Sequence, residues 1–228
     1  AYADLDHSVI DELPPGRKPI VTVVIPNTRR PSVIERIAEA CKAGRQVYWV
    51  CTLIEESEVL QCQAAEKTFE ALQAALQQLK IALIHGRLKA AEKDALMQAF
   101  KAHQFHVLVA TTVIEVGVDV ANASLMVIEN PERLGLSQLH QLRGRVGRGS
   151  AQSHCVLLYQ TPLSRNARER LHTMRSTQNG FEIAEKDLAL RGPGEVLGTR
   201  QAGDVRMRIA DLIRDQHLLG AVAEVAEQ

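Results

Sequence analysis

The sequence has no excess of one charge, few aromatic side chains and no long apolar run. Its 228 residues contain 27 Lys and Arg against 27 Asp and Glu, so the formal net charge is zero. A protein that is basic over its whole surface is therefore excluded, and any contact with nucleic acid has to be a local patch. Since neither a signal peptide nor a membrane-length apolar run is present, we expect a cytoplasmic location.

Cysteine is also scarce, and its spacing argues against a metal site or a disulfide framework. None of the four cysteines forms a C-x-x-C pair, and three lie inside apolar runs; they are Cys41, Cys51, Cys62 and Cys155. We interpret them as buried thiols of a protein in a reducing compartment. His103 and His106 have no Cys or carboxylate cluster beside them, so we interpret them as surface residues and predict no metal site.

A phosphate-binding loop of the form G-x-x-x-x-G-K-S/T is absent as well. The one Asp-Glu pair, Asp11-Glu12, lies in a polar segment before Pro14-Pro15 and not at the end of a strand. We therefore do not expect this chain alone to hold a nucleoside triphosphate with its Mg²⁺.

What the sequence does contain is a regular alternation of apolar strands and amphipathic helices. β-Branched and apolar runs predict strands at 20–25, 46–51, 80–85, 106–110, 124–129 and 154–159. Between them we predict a helix that starts at the capping-box pair Ser32–Glu35 and stops at Gly44, and helices over 57–79, 89–101 and near 136–144. This alternation predicts an α/β fold with a doubly wound, mostly parallel sheet. Ligands of such sheets lie beyond the carboxyl ends of the strands.

The pattern changes near residue 162, which divides the chain into three parts. Residues 1–17 are polar and are interpreted as the end of a linker, and 18–162 form the sheet domain. Residues 163–228 comprise two predicted helices joined at Asn179-Gly180, a Gly-rich loop over 191–203 and a last helix. Because neither terminus has the features of a natural chain end, we expect the sequence to be part of a longer chain.

The stretch "LHQLRGRVGRG" at 139–149 is the first candidate site. It interleaves Arg143, Arg145 and Arg148 with Gly144, Gly147 and Gly149. Close-set arginines repel one another and glycine disfavours helix, so we expect these arginines to point at an anion. A solvated helix end is one alternative. A dinucleotide fingerprint is another, although the glycine spacing here is the reverse of G-x-G-x-x-G.

The stretch "VATTVIEVGVDV" at 109–120 is the second candidate site. An apolar strand runs into Thr111 and Thr112, whose hydroxyls could bond a phosphate at the strand's carboxyl end. Gly117 and Asp119 follow a turn, and the carboxylate could accept from a ribose hydroxyl. The alternative is a β-bulge with a capping Asp.

These stretches resemble the superfamily 2 helicases. "ATTVIEVGVD" is similar to motif V, "QLHQLRGRVGRG" to motif VI, "VYWVCTLIEES" to motif IV and "LIHGRLK" to the segment after it. Together they mark the second RecA-like domain of such enzymes. Within the superfamily, "IENPERLGLSQLHQLRGRVGRG" and "GFEIAEKDLALRGPGEVLGTRQAG" resemble the bacterial branched-DNA translocases. The second of these looks like a translocation motif, a helical hairpin plus loop shared with transcription-repair coupling factors. "YADLDHSVIDELPPGR" looks like the passage from the first helicase domain to the second.

The resemblance implies a fold and a set of roles. The fold would be a RecA-like parallel sheet flanked by helices, the helicase C-terminal domain of the P-loop NTPase fold, followed by a small helical hairpin and loop. In the family two such domains close on one ATP, and the motif VI arginines that meet its γ-phosphate map onto Arg145 and Arg148. Of the two, Arg148 would be the arginine finger, and Gln141 would orient water or phosphate.

The remaining roles come from the same resemblance. Gly117 and Asp119 would line the nucleotide, while Thr52, Arg87, Thr111 and Thr112 would grip the DNA backbone. Arg191, Arg200 and Gln201 would couple cleft closure to translocation. ATP and Mg²⁺ would be bound mainly by a first RecA-like domain, and branched DNA such as forks and Holliday junctions would be recognised by a wedge domain. Both domains belong to the same protein in this family and are missing from this sequence.

The implied function is therefore half of the motor of an ATP-dependent helicase that acts in fork reversal, DNA recombination and repair. One alternative is the homologous half of a transcription-repair coupling factor, which acts on stalled RNA polymerase. Another is a non-catalytic module that binds nucleic acid or protein, against which the intact arginine pair argues.

Overall fold

The structure, a computed structural model, describes residues 18–52, 58–111, 120–149 and 151–191. Within these ranges strands and helices alternate along the chain. The strands are β1 (Val21–Pro26), β2 (Gln46–Cys51), β3 (Ile81–Ile84), β4 (Val107–Ala110), β5 (Ala123–Glu129) and β6 (His154–Tyr159). The helices are α1 (Arg30–Lys42), α2 (Glu58–Ala75), α3 (Ala90–Lys101), α4 (Leu136–Arg143), α5 (Arg165–Ser176) and α6 (Gly180–Arg191).

The six strands form one parallel sheet in the order β1-β6-β5-β2-β4-β3. The predicted α/β class and parallel sheet are thus confirmed, and all six predicted strands are present. Because the strands are parallel, their carboxyl ends share one edge of the sheet and their amino ends share the other. We call these the carboxyl edge and the amino edge.

Helices cover both faces of the sheet, which explains why the strands read as almost continuous apolar runs. Successive residues of a strand point to opposite faces, so Tyr48 and Trp49 enter different cores. Trp49 packs with α1 and α2 through residues such as Ile37 and Leu72. Tyr48 packs on the other face in a core to which α3, α4, α5 and α6 contribute; its ring centroid lies 5.1 Å from that of Phe100.

Two of the predicted helices differ from the structure in their boundaries. The capping box at Ser32–Glu35 is wrong, because α1 already begins at Arg30 and has no side-chain cap. Gly44 does stop the helix, with a positive φ of 82° that favours glycine. The long helix predicted over 57–79 ends at Ala75, and Leu76 and Leu79 of its apolar stripe lie in the turn beyond it. Leu76 is nevertheless buried, since the turn continues over the same core.

The predicted pair of helices after the sheet is confirmed as a hairpin. Ser164 caps α5 by accepting a hydrogen bond from the backbone N–H of Ala167 at 3.2 Å. Asn179 does the same for α6, with its Oδ1 2.9 Å from the N–H of Phe181. The inner residues Leu171, Met174 and Ile183 belong to the same core as the sheet face beneath them. The hairpin therefore packs as part of the domain.

The cysteine prediction is confirmed in its structural part: all four thiols are free and buried. Burial raises the pKa of Cys41 to about 11 and that of Cys155 to about 12, so both thiols are protonated and unreactive at neutral pH. Among the helices in the described ranges, none combines the length and apolar character needed to cross a membrane.

Candidate functional site

The predicted site residues lie at two opposite edges of the sheet. Thr52 follows β2, Arg87 follows β3 and Thr111 follows β4, so all three are at the carboxyl edge. Gln141 is near the end of α4, and Arg145 and Arg148 lie in the loop that leads to the start of β6 at the amino edge. The strands have four to seven residues and span about 13–23 Å, which separates the two groups. The general expectation that ligands lie at carboxyl ends therefore does not hold for the arginines.

At the amino edge, Gln141, Arg145 and Arg148 line a single cavity of about 460 Å³. Its other walls include Lys18, from the segment before β1, and Gln178, from the turn of the hairpin. Arg148 and Gln141 are exposed and Arg145 is half-buried. We call this cavity the arginine cleft.

The arginine cleft is suited to an anion and not to a metal ion. The described residues that line it include three arginines and a lysine and no carboxylate. Guanidinium groups bind phosphate oxygens in a bidentate manner, whereas Mg²⁺ requires oxygen ligands such as carboxylates. The site thus fits the phosphates of a nucleotide whose metal ion is held by other groups. Throughout the described ranges, no cluster of three His, Cys, Asp or Glu could hold a metal ion.

Arg143 corrects the expectation that all three arginines point at an anion. Its side chain is 2 % exposed and enters the protein, where Nη1 donates to the carbonyls of Met174 at 2.8 Å and Thr177 at 2.9 Å. Its Nη2 lies 3.0 Å from Nδ1 of His140. These carbonyls are at the end of α5, where a cation is favoured. Arg143 is thus a structural residue that joins the end of α4 to the end of α5.

The glycines of the arginine loop are explained by close packing. Gly147 has a φ of 82°, and a Cβ there would lie 3.0 Å from Cγ1 of Ile20. At Gly149 a Cβ would overlap the carbonyl oxygen of Ala121, just before β5. The loop therefore needs glycine at both positions to lie against its neighbours and hold Arg148 at the cleft.

The hairpin is bonded to the amino end of α4 as well as to its carboxyl end. The carboxylate of Asp187 accepts from the N–H of Leu136 at 3.3 Å and from the hydroxyl of Ser137 at 2.7 Å. Arg170 of α5 donates to the carbonyl of Glu132 at 2.6 Å, in the turn that precedes α4. Sequence reasoning missed both residues. Asp187 lies four residues after the buried Ile183, on the same face of α6, and this spacing is its one local sign.

The carboxyl edge presents a mixture of buried and exposed candidates. The hydroxyl of Thr52 is buried and donates to the backbone carbonyls of Glu129 and Asn130, the latter at 3.0 Å. The hydroxyl of Thr111 is buried and has no hydrogen-bond partner among the described residues. Arg87 is exposed in the turn after β3. Of these three, Arg87 is the side chain that is open to a ligand.

Five predicted site residues lie outside the described residues: Thr112, Gly117, Asp119, Arg200 and Gln201. Arg191 is the last residue of α6, one turn beyond Asp187, and its side chain is not described. The path of the hairpin places this helix end beside the amino end of α4, and hence at the carboxyl edge.

A larger cavity of about 630 Å³ lies between α5 and α6, but it holds none of the predicted site residues. Its lining mixes both signs of charge, for example Arg168 and Lys186 with Glu169 and Glu182. We place the candidate site at the arginine cleft because cations are concentrated there.

Comparison with known proteins agrees with this geometry. Residues 31–150 match the helicase conserved C-terminal domain. This chain belongs to that family. Residues 177–228 match the C-terminal part of domain 3 of the ATP-dependent DNA helicase RecG.

Similarity to RecG extends over the whole chain. RecG of Escherichia coli strain K12 is 64% identical over 227 residues, which are 99% of this chain and 33% of the relative. RecG of Synechocystis is 53% identical over 99% of this chain and 27% of the relative. A solved structure of RecG bound to a three-way DNA junction superimposes with a TM-score of 0.72 at 44% identity, over 91% of this chain and 26% of that one. The chain thus spans about a third of the length of the curated relatives, and these similarities do not favour a transcription-repair coupling factor.

Proposed function

We propose that this chain is the second RecA-like half of the motor of an ATP-dependent translocase of branched DNA, similar to RecG. The observation that carries the proposal is the position of α4. This helix ends beside the arginine cleft at the amino edge and begins beside the end of α6 at the carboxyl edge. One rigid element thus connects a phosphate-binding cleft with the segment that resembles a translocation motif.

At the cleft, Arg148 acts as the arginine finger and Arg145 as a second cation, while Gln141 orients water or a phosphate oxygen. When bound with its Mg²⁺ to a first RecA-like domain, ATP supplies the phosphoryl group that is transferred to water. Arg148 is exposed, always charged and able to bind two equatorial oxygens. An arginine finger raises the rate of such a reaction by roughly 10³–10⁵-fold. Gly117 and Asp119 contact the same nucleotide.

At the carboxyl edge, the exposed Arg87 contacts the phosphates of DNA, as does Thr112, while Thr111, whose hydroxyl is buried, supports this edge from within. Phosphate contacts carry no sequence information, in keeping with a protein that acts on forks and Holliday junctions of any sequence. The inward orientation of the Thr52 hydroxyl argues that this residue contributes through its backbone or by supporting β5. Forked and four-way DNA is the proposed partner, and the bacterial cytoplasm is the proposed location because both ATP and chromosomal DNA are there.

The segment that follows α6 couples the two edges. It leaves the helix at the carboxyl edge, so Arg191, Arg200 and Gln201 are proposed to transmit closure of the cleft to the duplex. These coupling residues are needed for movement along DNA and not for ATP hydrolysis. Substitutions in the cleft and in this segment should therefore affect different activities.

The test uses the full-length protein from which this chain comes and two paired assays, phosphate release and unwinding of forked DNA. Arg148→Ala should abolish DNA-stimulated hydrolysis by orders of magnitude with little change in DNA affinity. Gln201→Ala should retain hydrolysis and lose unwinding. Equal, large losses of hydrolysis in both variants would show that the loop supports the ATP site and transmits nothing.

This chain alone provides a second test of the half-motor proposal. It should release no phosphate from ATP with or without forked DNA, because a phosphate loop and metal carboxylates must come from elsewhere. It should bind DNA weakly, with a shallow dependence on salt, because few phosphate contacts are involved. Turnover that is lost in Arg148→Ala, or tight sequence-selective binding at physiological salt, would contradict the proposal.

A further inference from the structure

The turn of the hairpin is bonded to the segment through which the chain reaches β1. The side-chain amide of Gln178 accepts from the N–H of Ile20 at 3.0 Å through Oε1. It also donates to the carbonyl of Ile20 at 2.9 Å through Nε2. A single side chain thus pairs with both backbone groups of one residue, as a neighbouring strand would.

Ile20 is held from other sides as well. Its neighbour Pro19 accepts a hydrogen bond from Nε2 of Gln152 at 2.6 Å, and Val21 donates to the carbonyl of Ser153 at 3.0 Å. The side chain of Ile20 is buried and lies against the α-carbon of Gly147 in the arginine loop. Residues 19–21 thus contact both the start of β6 and the loop that carries Arg145 and Arg148.

Ile20 and Gln178 also line the arginine cleft, together with Arg145 and Arg148. The residue before Gln178, Thr177, accepts from the buried guanidinium of Arg143 at the end of α4. Two adjacent residues of the turn are thus bonded to two different parts of the cleft wall. Arg143 attaches the turn to α4, and Gln178 attaches it to the segment before β1.

We propose that Gln178 is a positioning residue that makes the hairpin follow the segment before β1 when the cleft closes. Residues 1–17, which precede this segment, resemble the passage between two helicase domains, so this is where a change in domain orientation reaches the sheet. The inference rests on the proposed function and adds a second route to it, independent of α4. Gln178 touches no reacting atom and acts only through Ile20.

The exposure of Gln178 distinguishes a coupling role from a structural one. Gln178 is exposed, whereas Ile20 is 7 % exposed. Truncation of this side chain removes no core packing, so the loss of stability is confined to the two missing hydrogen bonds to Ile20 and is measured separately from the loss of function. A loss of function in such a variant is then attributable to the missing bonds.

The experiment measures base pairs unwound per ATP hydrolysed in the full-length protein. The variants are Gln178→Ala, which removes both bonds, and Gln178→Glu, which keeps the size but places a carboxylate against the carbonyl of Ile20. The matched control is Gln98→Ala, at an exposed position on α3. Thermal unfolding of each variant is measured alongside.

We expect both Gln178 variants to unwind at least about fivefold less DNA per ATP hydrolysed than the parent, a typical coupling effect, and this ratio is compared at saturating ATP whatever the rate of hydrolysis. Gln98→Ala should match the parent in both assays. Hydrolysis and unwinding that fall together, or a ratio that stays the same, would overturn the inference while the proposed function stands. A parent protein without DNA-stimulated hydrolysis would overturn the proposed function and the inference with it.

Discussion

Asp187 of α6 caps the amino end of α4 at Leu136. Its Oδ1 lies 3.3 Å from the Leu136 nitrogen, and Oδ2 accepts from the neighbouring Ser137 hydroxyl at 2.7 Å. The first N–H groups of a helix have no partner within the helix, and the N-terminal end of its dipole favours a carboxylate. Gly135, at the N-cap of α4, has no side chain that could accept from the helix, so a residue 51 positions away in sequence supplies the acceptor for the Leu136 N–H.

Asp187→Ala is predicted to destabilise the domain by about 1–2 kcal/mol, the usual cost of removing a helix cap. The reason is that the Leu136 N–H and the Ser137 hydroxyl both lose a charged acceptor in a buried environment. Chemical unfolding of this chain gives the free energy. Asp94→Ala, at an exposed position on α3, is the control and should differ little from the parent. Equal stability of the two variants would show that the Asp187 carboxylate does not act as a cap.

The two kinds of arginine in the motif are predicted to behave in opposite ways. Arg143→Met should lower the free energy of unfolding by roughly 2–5 kcal/mol, because two buried carbonyls lose a charged donor. Arg148→Ala should have a much smaller effect, since this residue is exposed. In the full-length protein we expect the opposite order for ATPase activity. Arg148→Ala, although it is the more stable variant, should lose more activity than unfolding can explain. Equal destabilisation of the two variants would contradict the distinction between a structural Arg143 and an exposed Arg148.

The fold was largely predictable because its determinants are local. Apolar β-branched runs predicted every strand, and Asn179-Gly180 predicted the joint of the hairpin. The errors are at helix ends, where a local signal competes with packing. Ser32 and Glu35 have capping-box spacing, yet Pro31 allows the helix to begin at Arg30.

The site was less predictable because it depends on contacts distant in sequence. The glycine-arginine pattern identified the loop, but nothing local distinguishes Arg143 from Arg145. The difference arises from Met174 and Thr177, which lie 31 and 34 residues away. The separation of the arginines from the threonines onto opposite edges likewise follows from the direction of α4 across the sheet.

Gly149→Ala is predicted to destabilise the domain and to impair the arginine loop. A Cβ at this position would overlap the carbonyl oxygen of Ala121, which is backbone and cannot rotate away. We expect a loss of roughly 1–3 kcal/mol, typical of overpacking. Gly44→Asn is the control: Gly44 has a positive φ but open space around it, and Asn tolerates this conformation. Equal losses in the two variants would mean that the contact with Ala121 relaxes without cost.

His140 is predicted to make the domain sensitive to mild acid. Burial, and then the charge of Arg143, lower the pKa of His140 below its usual value. Since Arg143 can only donate, Nδ1 must accept, and the proton of the neutral ring is on Nε2. The unfolded chain binds a proton at about pH 6.5 while the folded chain does not, so stability falls as the pH drops below that value.

His140→Asn should therefore make the loss of stability between about pH 7 and pH 5 shallower, by at most about 1.4 kcal/mol per pH unit. Asn has an oxygen that can accept from Arg143 and does not titrate in this range. Some dependence of stability on pH should persist in this variant, because burial and the charge of Arg45 also lower the pKa of His154. The measurement is the free energy of unfolding against pH for the parent, His140→Asn and His172→Asn, the last at an exposed position on α5. The control should retain the parent slope. If His140→Asn retained it too, protonation of His140 would not oppose folding, and the buried bond to Arg143 would have to survive with a charged ring.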